Sequence, residues 1–438
     1  MADVRAKEGT EEKGSTRRMR SLKFEKQRQV NEILKELDLT YLSPRMLAKP
    51  LQGWIRISTA CDLACPFCER QYIHPVDSGF MDFDEFRRLA ETLEGVQKVH
   101  LFGLGDPFLS KRFFEYVALC HARGAEVSTT THGMHVNESL ARRIIESGME
   151  EISFSIDAAT PELFNRLRKG ADFDLVCNHL RQLNDLKRAL GSDTPEVVVC
   201  CTTSTENVHE LDAVVRLVHR LGSRHIFLSD LIPAITEHIA CSVYNTEVAQ
   251  ENIAKAVRVG EELGIEVNYF HHNPNPFTPT EVQTSGQPHG CGMAWTNLVV
   301  DRQGTTKFCC YIKDTLPSAF GCSIHEAMNS TEHEKNRQQL IDGDLRTECQ
   351  GCPNLFVNHP DHVFGLLNHV RDLIAESSLD EATRAELTRR VEDYHQKACH
   401  LFQRPSNSTP DGSFRQWVRN HVPGRIRAAV RRGLSLLG

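Results

Sequence analysis

The sequence lacks any apolar run long enough to cross a membrane, and its first residues lack the apolar core of a secretory signal. Since a spanning helix needs about 20 apolar residues, we expect a cytoplasmic chain. It also lacks an excess of positive charge, because the formal net charge is −7. That balance gives no global reason to bind nucleic acid, so we expect no nucleic-acid partner.

Cysteine, by contrast, is plentiful, with 15 among 438 residues. Disulfides are rare in reducing compartments, so these cysteines are expected to be thiols or metal ligands. Three of them, Cys61, Cys65 and Cys68, lie within CDLACPFCER, where Pro66 and charged neighbours indicate a loop. A closed zinc site usually has four ligands. Three thiolates with no fourth ligand nearby would leave one iron of a four-iron cluster open.

Strand-like and helical runs alternate along residues 54–230 and place this loop in the fold. WIRIS (54–58) predicts a strand, and the cysteine loop follows it directly. The alternation predicts parallel strands joined by right-handed crossovers. Six units are fewer than the eight of a full barrel, so we expect an α/β fold with a partial (β/α)6 TIM-like barrel and the loop at its carboxyl rim. The other predicted strands are KVHLFG, EVSTTT, EISFSID, EVVVCCTT and HIFLSD.

In its C-x3-C-x2-C spacing and its place after the first strand, the triplet resembles the signature of the radical SAM enzymes. The resemblance implies a [4Fe-4S] cluster on the catalytic residues Cys61, Cys65 and Cys68, with S-adenosyl-L-methionine (SAM) chelated by the open iron. It further implies reductive cleavage of SAM and hydrogen abstraction from a substrate by a 5′-deoxyadenosyl radical. A one-electron donor of the flavodoxin or ferredoxin type is then an implied partner.

Further motifs of this family recur in order over residues 50–235. The turn GLGDPF (103–108) stands where the family carries a GGEP-like turn, although Leu104 replaces a glycine and Asp106 replaces glutamate. An ordinary Gly-Pro turn is the alternative interpretation. For the end of the fourth strand the alternative is capping of a helix that begins at Pro161, as at Thr160. The SAM-contacting residues implied by the family are Phe67, Gly105, Asp106, Pro107, Thr131, Ser155 and Asp157.

A second set of cysteines begins in CGMAWTNLVVDRQGTTKFCC. Strand-like runs on both sides of DRQG predict a hairpin that brings Cys291 and Cys309 together, and CQGC adds Cys349 and Cys352. Four thiolates close a metal site. A structural zinc is the alternative occupant, and Cys310 competes with Cys309 as ligand. The pattern resembles the SPASM-type auxiliary module in its one-cluster form, called twitch, which implies a second [4Fe-4S] cluster.

The auxiliary module directs the choice of reaction. A closed cluster can accept an electron from a substrate radical, which makes hydrogen abstraction a two-electron oxidation. We therefore expect an oxidoreductase that dehydrogenates a small-molecule alcohol, such as a sugar or an aminocyclitol. A peptide maturase that forms crosslinks or thioethers is the alternative. So is a non-catalytic iron–sulfur or zinc protein on a decayed barrel.

The C-terminal residues differ in charge from the rest of the chain. From Phe414 onward there are six arginines and no acidic residue, with apolar residues roughly on one helical face. Such a segment can lie on an anionic membrane or an acidic partner, and docking on the chain's own acidic body is the alternative. The expected divisions are a tail (1–28), a helical lead-in (29–53), the radical SAM core (54–240), the auxiliary domain (241–358), C-terminal helices (359–402), a linker (403–412) and the basic tail (413–438).

Two minor expectations complete the prediction. The Pro- and Asn-rich stretch 271–290 is expected to be a substrate loop or a solvated linker. Cys322 has no assigned role. The cysteines expected to lie in the core are Cys120, Cys177, Cys200, Cys201, Cys241 and Cys399.

Overall fold

A computed structural model describes residues 24–72, 78–231, 243, 246–269, 289–309, 312, 316–346, 349, 355–357 and 360–401. The chain divides into two compact units. The barrel unit comprises Met1–Glu25, Pro50–His271 and Asn297–Ala327. The helical unit comprises Lys26–Lys49, His272–Thr296 and Met328–Gly438. Most of the predicted 271–290 loop, the basic tail, Cys241, Cys310 and Cys352 lie outside the described residues.

The barrel unit contains parallel strands that follow one another in chain order. Each strand pairs in parallel with the next, which confirms the expected α/β fold with six parallel strands over 54–230. A seventh follows that the sequence did not indicate, because its four residues show no clear alternation. The strands are β1 (Gln52–Ser58), β2 (Lys98–Gly103), β3 (Glu126–Thr131), β4 (Glu151–Ser155), β5 (Glu196–Thr203), β6 (His225–Asp230) and β7 (Glu266–Tyr269).

Helices connect these strands, as the alternating sequence predicted. Polar side chains start several of them: Asp82, Asn137 and Asp172 each accept a hydrogen bond from a backbone N–H of the first turn. Such N-caps satisfy donors that have no partner inside the helix. The barrel-unit helices are α2 (Phe83–Ala90), α3 (Phe113–Ala122), α4 (Glu138–Ser147), α5 (Pro161–Leu167), α6 (Phe173–Ala189), α7 (Leu211–Arg220) and α8 (Glu247–Leu263), following α1 (24–41) near the N-terminus.

Side-chain alternation along each strand separates an inner from an outer face of the barrel. In β5, Val197, Val199 and Cys201 are buried, whereas Val198 and Cys200 line a cavity inside the barrel. Successive side chains of a strand point to opposite faces, so neighbouring cysteines have different surroundings. Cys201 therefore lies in the core as predicted. The prediction for Cys200 was wrong, because its side of the strand faces the cavity.

The sheet continues beyond β1 into the second cysteine region. Strand β9 (Asn297–Val300) pairs in parallel with β1, and the hairpin partner β10 (Thr305–Lys307) pairs with it in antiparallel fashion. The predicted hairpin is thus confirmed around DRQG, where Gly304 has a φ of +85°. The neighbouring strand β11 (Leu316–Ser318) completes a ten-stranded sheet among the described residues.

The run AWTNLVV (294–300), predicted as the first strand of that hairpin, is only partly a strand. Gly292–Thr296 forms a short helix, α9, instead of continuing the strand. The Thr296 hydroxyl donates to the Gly292 carbonyl at 2.7 Å, and the fully buried Trp295 donates its indole N–H to the Ser43 carbonyl at 3.0 Å. These long-range contacts of Trp295 could not be read from local strand propensity.

The helical unit contains the predicted N-terminal helix and both predicted C-terminal helices. Apolar residues of α1 pack in one core cluster with α12 (Pro360–Glu376) and α13 (Glu381–Leu401). Strands β8 (His289–Cys291) and β12 (Leu355–Val357) form a separate antiparallel pair. The boundary helix α10 (Ile324–Met328) precedes α11 (Thr331–Ile341). No helix in the described part of the chain is long and apolar enough to cross a bilayer.

A buried carboxylate organises the segment after α1. The side chain of Asp38 accepts hydrogen bonds from the backbone N–H groups of Leu47, at 2.9 Å, and Ala48, at 2.8 Å. Arg337 lies close enough to oppose protonation electrostatically, and its guanidinium donates to the carbonyls of Pro44 and Met328. Burial nevertheless outweighs these contacts and raises the pKa of Asp38 to about 7.

The raised pKa predicts a pH-dependent stability. The folded chain binds a proton at Asp38 more tightly than the unfolded chain does, so the stability that Asp38 contributes falls as pH rises from about 4 to about 7. As pH rises from about 4 to about 8, the free energy of unfolding of Asp38→Asn should therefore increase by roughly 2–4 kcal/mol relative to that of wild type. Urea unfolding at several pH values measures this. The exposed Asp342→Asn is the control, and a wild-type advantage that grows with pH would contradict the prediction.

Candidate active site

The three clustered cysteines lie on the loop that leaves the carboxyl end of β1. All three are free and half-buried, and the Cys68 N–H donates to the Cys65 carbonyl at 3.1 Å. Burial is the main cause that raises the pKa of Cys61 to about 11 and the pKa values of Cys65 and Cys68 above their usual range. Each consecutive pair of cysteines also interacts electrostatically or through the loop backbone. Three such thiols on one loop fit a thiolate-held cluster.

The GLGDPF turn packs against the backbone that leads into this loop. The N–H of Gly105 donates to the Ser58 carbonyl at 3.2 Å, and that of Asp106 donates to the Ala60 carbonyl at 2.9 Å. A Cβ on Gly105 would lie 1.9 Å from the Ala60 oxygen, and one on Gly103 would lie 1.8 Å from the Ser58 oxygen. Both glycines are therefore required by a close backbone approach, which an ordinary Gly-Pro turn would not need.

Asp106 anchors this turn to the end of β3. One carboxylate oxygen accepts from the Phe108 N–H at 2.9 Å. The other accepts from the Thr131 hydroxyl at 2.6 Å and from the His132 N–H at 3.0 Å. Pro107, which is buried, begins a short 3-10 turn here. The structure thus brings together the predicted residues Asp106, Pro107 and Thr131, with the carboxylate already satisfied by protein donors.

Two histidines after β3 were not identified from the sequence. Asp62, next to Cys61, lies 2.9 Å from the Nε2 atom of His132 and 2.9 Å from that of His135. Burial by itself would raise the pKa of Asp62. The interactions with the two imidazoles outweigh burial, so the pKa lies below its usual range. Ligand atoms of Cys61, Asp62 and His132 all lie within 4.8 Å of one another. The HGMH spacing that follows β3 was the available sequence signal.

The end of β4 holds the other predicted SAM-contacting residues. Ser155 and Asp157 are buried, and Asp157 accepts from the Thr202 N–H at 2.9 Å and from the Arg168 Nε at 2.5 Å. Thr160 occupies the N-cap position of α5 but makes no capping hydrogen bond. Its hydroxyl donates to Glu210 instead, at 3.0 Å. The helix-capping alternative for this strand end was therefore wrong.

Phe67 lies between the second and third cysteines and is half-buried. The loop around it is fixed by side chains: the Tyr72 hydroxyl donates to the Pro66 carbonyl at 2.6 Å, and Arg70 Nε donates to the Thr59 carbonyl at 3.1 Å. These contacts fix the loop segment that carries the Phe67 ring. The packing of the ring against adenine stays a prediction.

The second cysteine set is described in part. Cys291 is buried at the end of β8, where its backbone pairs with Leu355 of β12, three residues after Cys352 in the chain. Cys291 was predicted to lie at the open end of the β9–β10 hairpin. It lies on β8 instead, so that prediction was wrong. Cys349, in the same helical unit, is half-buried. Cys309 is buried after β10 in the barrel unit, so the auxiliary site stays a prediction.

A cavity of about 510 Å³ occupies the inside of the barrel. TIM-barrel interiors are usually filled by branched aliphatic side chains, but here the inward positions include Ser128, Thr130 and Ser153. His100 bridges two of these hydroxyls, at 2.8 Å from Ser128 and 3.2 Å from Thr130. Burial and the nearby Lys98 charge lower the pKa of His100 to about 3, so its ring is neutral. Polar and apolar side chains share the walls of the cavity, which carry no large excess of either charge.

The fold and the site together define a partial β/α barrel with a three-thiol site at its carboxyl rim. Residues 55–218 match the family model described as the Radical SAM superfamily. These residues, which include the three-thiol loop, are therefore similar to a radical SAM domain.

Two similar proteins are named for the modification of a cofactor and for the maturation of mycofactocin. The tungsten-containing aldehyde ferredoxin oxidoreductase cofactor-modifying protein of Pyrococcus furiosus is 24% identical over 199 residues, 44% of this chain and 55% of that protein. Mycofactocin maturase MftC of Mycobacterium ulcerans is 27% identical over 168 residues, 38% and 44% of the two chains. The chain thus spans about half the length of these relatives. Streptococcus suis SuiB bound to precursor peptide SuiA has a TM-score of 0.53 at 14% identity over 70% of each chain, which shows a shared fold.

The close approach at Gly105 gives a direct test of the site. Gly105→Ala should displace the segment before Cys61, because a buried clash of this kind costs several kcal/mol. After anaerobic reconstitution the variant should therefore retain less than about half of the wild-type iron. Gly53→Ala in β1 is the matched control, since its Cβ would meet no atom closer than 3.8 Å. Equal iron content in the two variants would show that the loop tolerates the added carbon.

Proposed function

We propose that this chain is a radical SAM enzyme that reductively cleaves SAM and removes a hydrogen atom from a substrate. The observation that carries the proposal is the backbone contact of the Gly105–Asp106 turn with the segment that leads to Cys61. Cys61, Cys65 and Cys68 would hold the cluster, and when bound it would supply the electron for cleavage of a carbon–sulfur bond of SAM. An electron donor of the flavodoxin or ferredoxin type would serve it.

The neighbouring side chains would bind and orient SAM. Asp106 and Thr131 are already joined by a 2.6 Å hydrogen bond, so together they form one rigid polar edge beside the cysteine loop. Ser155 and Asp157 form a second edge at the end of β4, with Asp157 fixed by Thr202 and Arg168. Phe67 would cover the adenine. Two fixed polar edges at the carboxyl ends of neighbouring strands suit a ligand that must be held in a single orientation.

For the substrate, we propose a small polar alcohol that is dehydrogenated, as in a sugar or an aminocyclitol. The barrel cavity supports this choice, because its volume lies in the range of small-molecule sites and its walls carry hydroxyl, imidazole and carboxylate groups. Peptide maturation is the second candidate, favoured by the names of the mycofactocin maturase and the SuiB–SuiA complex. Mass detection of a two-hydrogen loss from a small alcohol, against crosslinking of a peptide, separates the two.

An auxiliary cluster is a further proposal. Cys291, Cys349 and Cys352 would supply three ligands, and Cys309 or its neighbour Cys310 would supply the fourth. The β8–β12 pairing supports this, since it places Cys291 against the strand that follows the C-x2-C motif. A closed cluster there would supply a one-electron acceptor, which an alcohol dehydrogenation requires. Zinc in the same cage stays the alternative.

Separate roles for the two cysteine sets predict separable defects. Cys65→Ala should abolish SAM cleavage, because it removes a ligand of the site that would touch SAM. Cys352→Ala should leave abortive cleavage detectable while removing iron equivalent to one four-iron cluster. Anaerobic assays of 5′-deoxyadenosine with dithionite, together with iron counts, measure both effects. Loss of cleavage in both folded variants, or zinc in place of the second set of iron atoms, would contradict this division.

We also propose that the basic tail makes reversible contact with anionic membranes. The support is its sequence of six arginines without an acidic residue; each basic side chain near an anionic surface contributes about 1 kcal/mol. Truncation after Gln403 should keep SAM cleavage and lose sedimentation with phosphatidylserine vesicles. High salt should weaken binding of the full chain. A full-length protein that ignores these vesicles at low salt would favour docking of the tail on its own body.

A further inference from the structure

We propose that Arg168 raises the reduction potential of the cluster held by Cys61, Cys65 and Cys68. Arg168 is a positioning residue in this sense: it acts on the cluster ligands and not on the substrate. The inference rests on the proposed function only in requiring that this cluster binds.

The backbone after α5 is attached to the cysteine loop. The Ala64 N–H donates to the Lys169 carbonyl at 2.8 Å. Gly170 follows with a φ of +101°, and a Cβ there would lie 3.3 Å from Leu63. Arg168 is therefore placed beside the loop by its own main chain, before any side-chain contact is considered.

The guanidinium of Arg168 pairs with Asp157 and lies near two of the cysteines. Its Nε donates to an Asp157 oxygen at 2.5 Å, and its charge is close enough to interact electrostatically with Cys65 and Cys68. The side chain is 18% exposed, so water screens its charge only weakly. An arginine guanidinium is not deprotonated in proteins. The residue is therefore cationic at any working pH.

A fixed positive charge beside the cluster ligands has a defined redox consequence. Reduction adds one negative charge to the cluster, and a nearby cation with little solvent screening stabilises that added charge. Asp157 offsets part of the effect, since its carboxylate lies against the same guanidinium. The planar fork of arginine can bond a carboxylate and a thiolate together, whereas lysine is a single point charge. Arg168 thus makes the electron transfer that starts SAM cleavage less unfavourable.

The test is a redox titration of the cluster in which the reduced form is detected by electron paramagnetic resonance. The protein is full-length, anaerobically reconstituted and free of SAM. The relevant signal is the one that Cys65→Ala removes. Arg168→Gln should weaken one-electron reduction about tenfold, a shift of about 59 mV to lower potential. Arg168→Lys should give an intermediate shift. Arg166→Gln is the matched control, because Arg166 lies two residues away at the end of α5, is 63% exposed and pairs with Glu206.

Two outcomes would overturn the inference. The first is a wild-type potential in an Arg168→Gln protein with wild-type iron content. The second outcome concerns Asp157→Asn, which carries the test if Arg168→Gln fails to hold iron. Removal of this counter-charge should shift the potential upward, opposite to the effect of a merely loosened site. An unchanged or lower potential would overturn the inference. Absence of the Cys65-dependent signal from wild-type protein would instead contradict the proposed function itself.

Discussion

The close backbone approach between the Gly103–Asp106 turn and the end of β1 is the constraint on which the rest of the site depends. It lets two main-chain N–H groups reach the carbonyls of Ser58 and Ala60, and it leaves no room for a side-chain carbon. The cysteine loop starts from this contact. Since the turn is tied to β3 through Asp106, the first three strands are fixed together at the rim.

Carboxylates extend this framework around the rim. Asp62, which is exposed, links the cysteine loop to two histidines after β3, and the buried Asp157 links the end of β4 to β5 and to Arg168. Asp157 is costly to bury alone and is therefore satisfied by several donors. The consequence is a set of three thiols with fixed surroundings and with charges of both signs nearby. Such preorganisation is what a cluster and a chelated ligand require.

The inside of the barrel follows a different rule from its outside. Outer positions such as Val199 and Leu228 are fully buried, which stabilises the packing of the strands. Inner positions include several polar side chains, and they line a cavity instead of filling it. A barrel that leaves its centre open gives up packing energy there. The hydroxyl, imidazole and carboxylate groups in its walls are compatible with binding of a polar molecule.

The sequence by itself determined the order of strands and helices, the place of the cysteine loop after β1 and the glycines of the following turn, because periodicity and spacing are local properties. It could not reveal β7, whose four residues carry too little pattern, or the helical turn at Gly292–Thr296, which depends on the remote contact between Trp295 and Ser43. Only the tertiary structure brings Asp62 within hydrogen-bond distance of His132 and His135. It likewise pairs Arg168 with Asp157 and places its charge near Cys65. These partners meet because parallel strands end at one rim, and a hydrogen bond between residues 70 positions apart leaves no periodic trace in the chain.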